Sequence, residues 1–189
     1  MTEAEQVSLS RQGDVSAWAE VVSAHQQAVF RLAYLLLGDP DDAEDITQET
    51  FIRAYYALGR FDVQRPLRPW LLSIAANLAR NRRRSIGRYL NFLQRLGREG
   101  PQPAALAHTD HGPVSHRDES KLLWQAVRQL SSSDQEIIYL RYYLDMPEAE
   151  MSATLRVAAG TVKSRLHRAL NRLKQVIQRD FSELREDFE

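Results

Sequence analysis

Apolar residues recur along this chain at spacings of three and four, and no long run alternates with a period of two. That pattern argues against a sheet and for helices that each bury one stripe. Two helix starts can be read directly. "DPDDAEDITQETFIRAYYAL" begins with Asp39 and Pro40, an oxygen acceptor followed by a proline that needs no amide partner. "RPWLLSIAANLARNRRR" opens in a similar way at Pro69. From Ser85 to Ser120 the pattern lapses. This stretch holds "GREGPQPAALAHTDHGPVSH" and reads as a flexible linker, with a short helix at Tyr89–Leu96. The helical period returns at Lys121. The expected fold is therefore all-α: two small helical domains, residues 1–84 and 121–189, joined by a linker over 85–120.

The chain has 189 residues and no cysteine, so neither disulfides nor thiolate metal sites enter. Its longest apolar run, "LAYLLLG", is too short to span a bilayer, and its polar, acidic start is unlike a signal peptide. A cytoplasmic location with no membrane insertion is the expectation. The net charge of zero conceals a segregation. Residues 1–59 carry three basic and ten acidic side chains, residues 60–100 ten basic and two acidic, and residues 101–189 twelve basic and thirteen acidic. The acidic and basic segments should meet different partners.

Three helical faces carry functional information. In "GTVKSRLHRALNRLK", Lys163, Arg165, Arg168, Arg172, Lys174 and, when protonated, His167 are cations, and no acid is present. At 100° per residue, Val162, Leu166, Ala169, Leu170, Leu173, Val176 and Ile177 share one side. Ser164, His167, Arg168 and Asn171 share the other, with Lys163 and Lys174 at its edge. The short helix "PEAEMSATL" and the turn "RVAA" precede it. The order is that of a helix-turn-helix whose second helix enters the major groove, with cations for phosphates and Ser, Asn, His and Arg for base edges. A solvated basic helix is the plainer alternative.

On "DDAEDITQETFIRAY", Ala43, Ile46, Thr47, Thr50, Phe51, Ala54 and Leu58 form the buried stripe. Opposite lie Asp45, Gln48 and Glu49 around Ile52. An apolar spot with an acidic rim suits a protein partner bearing basic residues and does not suit DNA; a single exposed isoleucine is equally ordinary. On the Pro69 helix, Ser73, Asn77, Arg80 and Arg84 align at spacings of four, three and four, bordered by Trp70 and Asn81. Amides, guanidiniums and an aromatic ring together suit nucleic acid whose bases are unstacked. Here too a cationic surface helix with Trp70 in the core is the alternative.

The stretches "DAEDITQETFIRAY", "RPWLLSIAANLARNRRR" and "GTVKSRLHRALNRLK", in this order, resemble the signature segments of the extracytoplasmic-function sigma factors of bacterial RNA polymerase. The resemblance covers roughly residues 10–84 and 120–178. It implies a first domain that binds core polymerase and the minus-ten element, and a second that reads the minus-thirty-five element. It implies that Asp45, Gln48, Glu49 and Ile52 dock on the beta-prime subunit. It places Asn77 near an unstacked minus-ten base, within a set that includes Phe61, Arg65, Arg68, Trp70, Ser73, Arg80 and Arg84, and makes Phe61–Arg68 the loop that cradles that base. It puts Lys163, Ser164, His167, Arg168 and Asn171 toward the upstream DNA. The linker, with its basic start Arg82, Arg83, Arg84 and Arg88, would run through the cleft of the polymerase core (beta-prime and beta subunits). An anti-sigma factor is a further partner that the family implies.

The chain departs from the family pattern at Arg156, where the turn usually has Gly, and at Ala158, where the recognition helix usually has a Ser cap. Ser152 and Thr154 stand where Ala and an aliphatic residue are usual. Two rival readings remain at this stage. A helix-turn-helix regulator explains the cationic helix but not the Ile52 face. An enzyme would draw on His108, Asp110, His111 and His116 as metal ligands, but these lack helical spacing, and no phosphate loop or nucleophile elbow is present. No cofactor, metal or catalytic residue is expected.

Overall fold

The computed structural model describes residues 1–95, 114–181 and 184, and side chains over 1–88, 120–181 and 184. Among them every regular element is a helix. The chain divides into two compact units.

The first unit is built from α1 (Glu3–Arg11), α2 (Val15–Leu37), α3 (Pro40–Ala57) and α4 (Leu67–Arg95), with a single 3₁₀ turn at Leu58–Arg60. Three of these helices, α1, α2 and α3, begin where local chemistry satisfies their orphan amides. Thr2 and Glu5 form a capping box on α1. Asp14 accepts from the amides of Ser16 and Ala17 at the start of α2. Asp39 accepts from the Asp42 amide at 2.9 Å, with Pro40 in the first turn of α3, as the sequence predicts. Gly38 ends α2 with φ of 83°, a left-handed turn that glycine adopts without penalty. Between α2, α3 and α4, Ala33, Ala43, Ile46 and Leu78 are buried, with Phe30, Tyr34, Leu37 and Ile74 packed around them. The alanines let the helix axes approach, and the larger residues interdigitate.

Two expectations change in α4. It starts at Leu67 and not at Pro69, and it continues unbroken to Arg95, so of the short helix expected at Tyr89–Leu96 the residues 89–95 are its last part and Leu96 lies outside the described residues. Arginines are good helix formers and one interior glycine costs only about 1 kcal/mol, so neither the arginine run nor Gly87 ends the helix. Arg82 is also reassigned. Its Nε donates to Asp42 Oδ1 at 2.9 Å, tying α4 to the start of α3. That hydrogen bond, then the Asp42 charge, pushes the Arg82 guanidinium above its ordinary pKa.

The later part of the chain forms α5 (Val114–Arg128), α6 (Ser132–Ile138), α7 (Glu148–Leu155) and α8 (Ala159–Asp180), with a π-helical turn over Tyr139–Tyr143. Since α5 begins at Val114, both ends of the expected linker are helical, and its middle lies outside the described residues. Trp124 stacks on Tyr139 with ring centres 5.4 Å apart, and Tyr143 meets both rings edge-on. Met146, Met151, Val162, Ala169, Leu173 and Ile177 are buried. Arg172 reaches from α8 to both carboxylate oxygens of Asp134, at 2.8 and 2.9 Å. Asp134 is held in turn by Ser131, the cap of α6.

The turn between α7 and α8 shows what the unusual residues do. Arg156 has φ of 56°, the left-handed region that favours glycine. Ala158 occupies the cap position of α8 in extended backbone but supplies no side-chain acceptor. Ser152 ties the turn in another way: its hydroxyl donates to the Val157 carbonyl at 2.6 Å, which leaves the first amides of α8 without a side-chain acceptor. Replacing Ala158 by Ser restores a cap worth about 1 kcal/mol, and Arg156→Gly removes the left-handed penalty against some gain in unfolded-chain entropy. The double variant should unfold about 4 °C or more above the parent in a thermal melt. An unchanged or lower midpoint would refute this account of the turn.

Candidate functional site

α3 projects its two faces as its spacing dictates. Ala43, Ile46, Thr50, Phe51, Ala54 and Leu58 are buried. Asp45 and Gln48 are exposed, Glu49 is half-buried and paired with Arg53 at 2.6 Å, and Ile52 is 51% exposed. Ile52 is thus a surface residue with acids around it. The structure adds neighbours that the sequence reading passed over. Tyr56, one turn beyond Ile52, is 84% exposed, and the Tyr55 ring lies tilted against Trp18 of α2 with ring centres 5.4 Å apart. Their signal was present at i+3 and i+4 from Ile52. Beside this face a groove of about 610 Å³ runs between α2 and α3, lined by Val22, Gln26, Phe30, Thr47, Gln48 and Phe51.

On α4 the expected face is only partly open. Asn77 and Arg84 are exposed and Arg80 is half-buried. The Asn77 side-chain Oδ1 accepts from Arg80, and the Asn81 Oδ1 from Arg84, so each guanidinium orients a side-chain amide. Two members of the set are corrected. Ser73 is 2% exposed and its hydroxyl donates to the Trp70 carbonyl at 2.7 Å, so its own helix backbone satisfies it. Phe61 is 8% exposed, its ring 4.6 Å from that of Trp70. It packs the base of the loop and is not an open stacking platform. Within the loop, Arg65 is exposed beside Asp62 at 3.4 Å, and Arg68 is half-buried. The Asp62 side chain accepts from the Gln64 amide, and its carbonyl from the Arg65 amide, making a turn.

On α8, Val162, Ala169, Leu173 and Ile177 go inward while Lys163, Ser164, His167, Arg168 and Asn171 are exposed. Arg168 Nε donates to the Ser164 carbonyl at 3.2 Å, and Asn171 Nδ2 lies 3.0 Å from His167 Nε2. Arg172, one of the six counted cations, is engaged with Asp134. The side chains of His108, Asp110, His111 and His116 lie outside those described. No described helix is long and apolar enough to cross a membrane.

Residues 21–89 match the family model of Sigma-70 region 2, and residues 120–173 that of Sigma-70 region 4. The chain is 32% identical to the ECF RNA polymerase sigma factor SigW of Bacillus subtilis over 174 residues, covering 89% of this chain and 92% of that protein. The chain belongs to the extracytoplasmic-function sigma factors. A second relative, the ECF sigma factor SigL of Mycobacterium tuberculosis, is 32% identical over 157 residues, 82% of this chain and 85% of that one. The sigma factor RpoE of Bartonella quintana, solved with the anti-sigma factor NepR, is similar at 25% identity. It covers 88% of this chain and 99% of that chain, with a TM-score of 0.70. CnrH, solved with the cytosolic domain of CnrY, shares the fold at 24% identity and a TM-score of 0.68, over 94% of this chain and 98% of that chain. As an extracytoplasmic-function sigma factor, the chain serves promoter-specific initiation of transcription by RNA polymerase. The reading of it as a separate helix-turn-helix regulator is not favoured.

Proposed function

We propose that this sigma factor divides initiation among its three faces. The acid-rimmed patch Asp45, Gln48, Glu49 and Ile52 docks on core polymerase through basic residues of the beta-prime subunit. The exposed donors Ser164, His167, Arg168 and Asn171 read the minus-thirty-five element from the major groove, and Lys163 beside them holds a phosphate. Asn77, with Arg65, Arg68, Trp70, Arg80 and Arg84 around it, holds the melted minus-ten element. The first domain runs through α4, and the second begins with α5. The observation that carries this reading is the half-exposed Ile52 among acids, in the same chain as a helix-turn-helix with an open donor face. A regulator that acts on DNA alone has no use for the first of these.

The division has a physical logic. Like charges on a docking patch and on DNA phosphates repel, so an acidic patch keeps the partner surface off the nucleic acid. Cations near phosphates release counterions and give affinity without sequence information, while hydrogen bonds to base edges give the sequence. The sigma factor itself makes and breaks no bond on this reading; RNA synthesis belongs to the polymerase. Its place of work is the cytoplasm, where polymerase and promoters are. An anti-sigma factor is a further partner, a proposal supported by the similar sigma factor RpoE solved with the anti-sigma factor NepR.

Sequencing the transcripts made by core polymerase with and without this protein tests the reading directly. New start sites sharing two upstream elements are expected; an unchanged transcript set would end it. On such a promoter, Arg168→Ala should cost about 1–3 kcal/mol if Arg168 reads a base bidentately. Lys163→Ala should instead weaken all sequences evenly and lower the salt slope by about one phosphate contact. Parent-like binding by both variants over a range of salt would remove α8 from the DNA.

A further inference from the structure

The geometry points to α1 as a clamp that sets the shape of the loop between α3 and α4, through Arg11 and Glu3. The two residues grip opposite ends of that loop. Arg11 Nε donates to the Leu58 carbonyl at 2.9 Å, and its terminal nitrogen donates to the Phe61 carbonyl. Glu3 Oε2 accepts from the Leu67 amide at 3.1 Å, at the first residue of α4. The other Glu3 oxygen pairs with His25 Nε2 of α2 at 3.1 Å, which anchors the carboxylate.

The charges have the right signs for these places. The end of a helix leaves carbonyls without partners and carries partial negative charge, and the start leaves amides and partial positive charge. α1 therefore supplies a cation where α3 and its 3₁₀ turn finish, and an anion where α4 begins. The neighbouring connection is built differently. Between α2 and α3 the chain caps itself, with Gly38 at one end and Asp39 at the other. Between α3 and α4 these three side-chain bonds come from a helix far earlier in the chain. Side chains of the Asp62–Pro66 segment are thereby spared from capping either end, and the segment folds on its own turn at Asp62.

This inference rests on the proposed reading of Phe61–Arg68 as the loop that captures a minus-ten base. Under that reading Arg11 and Glu3 are positioning residues: they touch no DNA, and they fix the separation and direction of the loop's ends. A loop held at both ends loses less conformational freedom when a base enters it, and it presents one shape rather than several to the four bases. The clamp therefore bears on base preference as well as on affinity.

The test uses holoenzyme assembled from core polymerase and the full chain. Its probe is a set of single-stranded oligonucleotides in which each minus-ten position carries each of the four bases in turn. Arg11→Ala should weaken binding of the preferred base by about tenfold, the worth of a charge-assisted bond, and compress the ratio between preferred and other bases. Association with core polymerase should not change. Arg11→Lys, whose ammonium reaches one carbonyl, should restore part of the ratio, and Glu3→Gln, which still accepts the Leu67 amide, should reduce it less than Arg11→Ala does. All variants are compared at a temperature where circular dichroism shows them folded. An unchanged ratio in Arg11→Ala overturns the clamp, even if stability or total affinity falls. Arg65→Ala separates the two ideas. If it alters the ratio and Arg11→Ala does not, the loop reading stands and the clamp is wrong. If the parent itself shows no base ratio that Arg65→Ala changes, both are wrong.

Discussion

Ile52→Arg should abolish association with core polymerase and, with it, promoter-directed transcription, while leaving the helical circular dichroism of the chain intact. Ile52 is 51% exposed on α3, where substitutions shift stability by only about 0.5 kcal/mol. In a complex the same position lies at the centre of a patch rimmed by Asp45, Gln48 and Glu49. A guanidinium there must lose its water without a designed partner, and it offsets the acids that attract a basic surface. An unpaired charge at such a centre costs about 3–5 kcal/mol, more than a hundredfold in affinity. Ile52→Ala, which only shortens the side chain, should cost less. Co-purification with core polymerase measures both. Retained association of Ile52→Arg would take the patch out of the polymerase interface, and a loss of helical signal would show that the surface assignment is wrong.

Asn77→Ala should spare association with core polymerase and binding to the upstream element, and should reduce open-complex formation on duplex promoters by about ten- to a hundredfold. Asn77 is exposed on α4, its side-chain Oδ1 held by Arg80, so its removal leaves the helix packing untouched. An amide reads a base edge only after that base has left the stack, and unstacking costs a few kcal/mol. Capture of the extruded base offsets that cost, and a well-made amide contact is worth about 1–3 kcal/mol. A template with a pre-melted bubble removes the unpairing cost and should partly rescue the variant. Permanganate reactivity of promoter thymines reports the bubble itself. Parent-like reactivity and transcript yield on duplex template would exclude Asn77 from base capture.

The helices and their inward faces were legible in the sequence because both depend on near neighbours. The Asp39–Pro40 start of α3, its buried stripe and the exposed Asp45, Gln48 and Ile52 follow from spacing alone, and so do the two sides of α8. Legible too was the missing cap at Ala158. What spacing does not contain is the partner each charge finds across the fold. Arg172 counts only as one of the cations of α8 until Asp134, 38 residues earlier, takes it. Arg82 reads as the start of a linker until Asp42, 40 residues earlier, makes it a tie between helices. Arg11 and Glu3 carry no local signal at all, since they act on backbone 47 and 64 residues away. Local periodicity decides which side of a helix meets water, because burial of apolar area is summed along the helix itself. Which exposed charges remain available for a partner was decided only when the packed helices brought distant carboxylates, guanidiniums and helix ends within hydrogen-bonding reach.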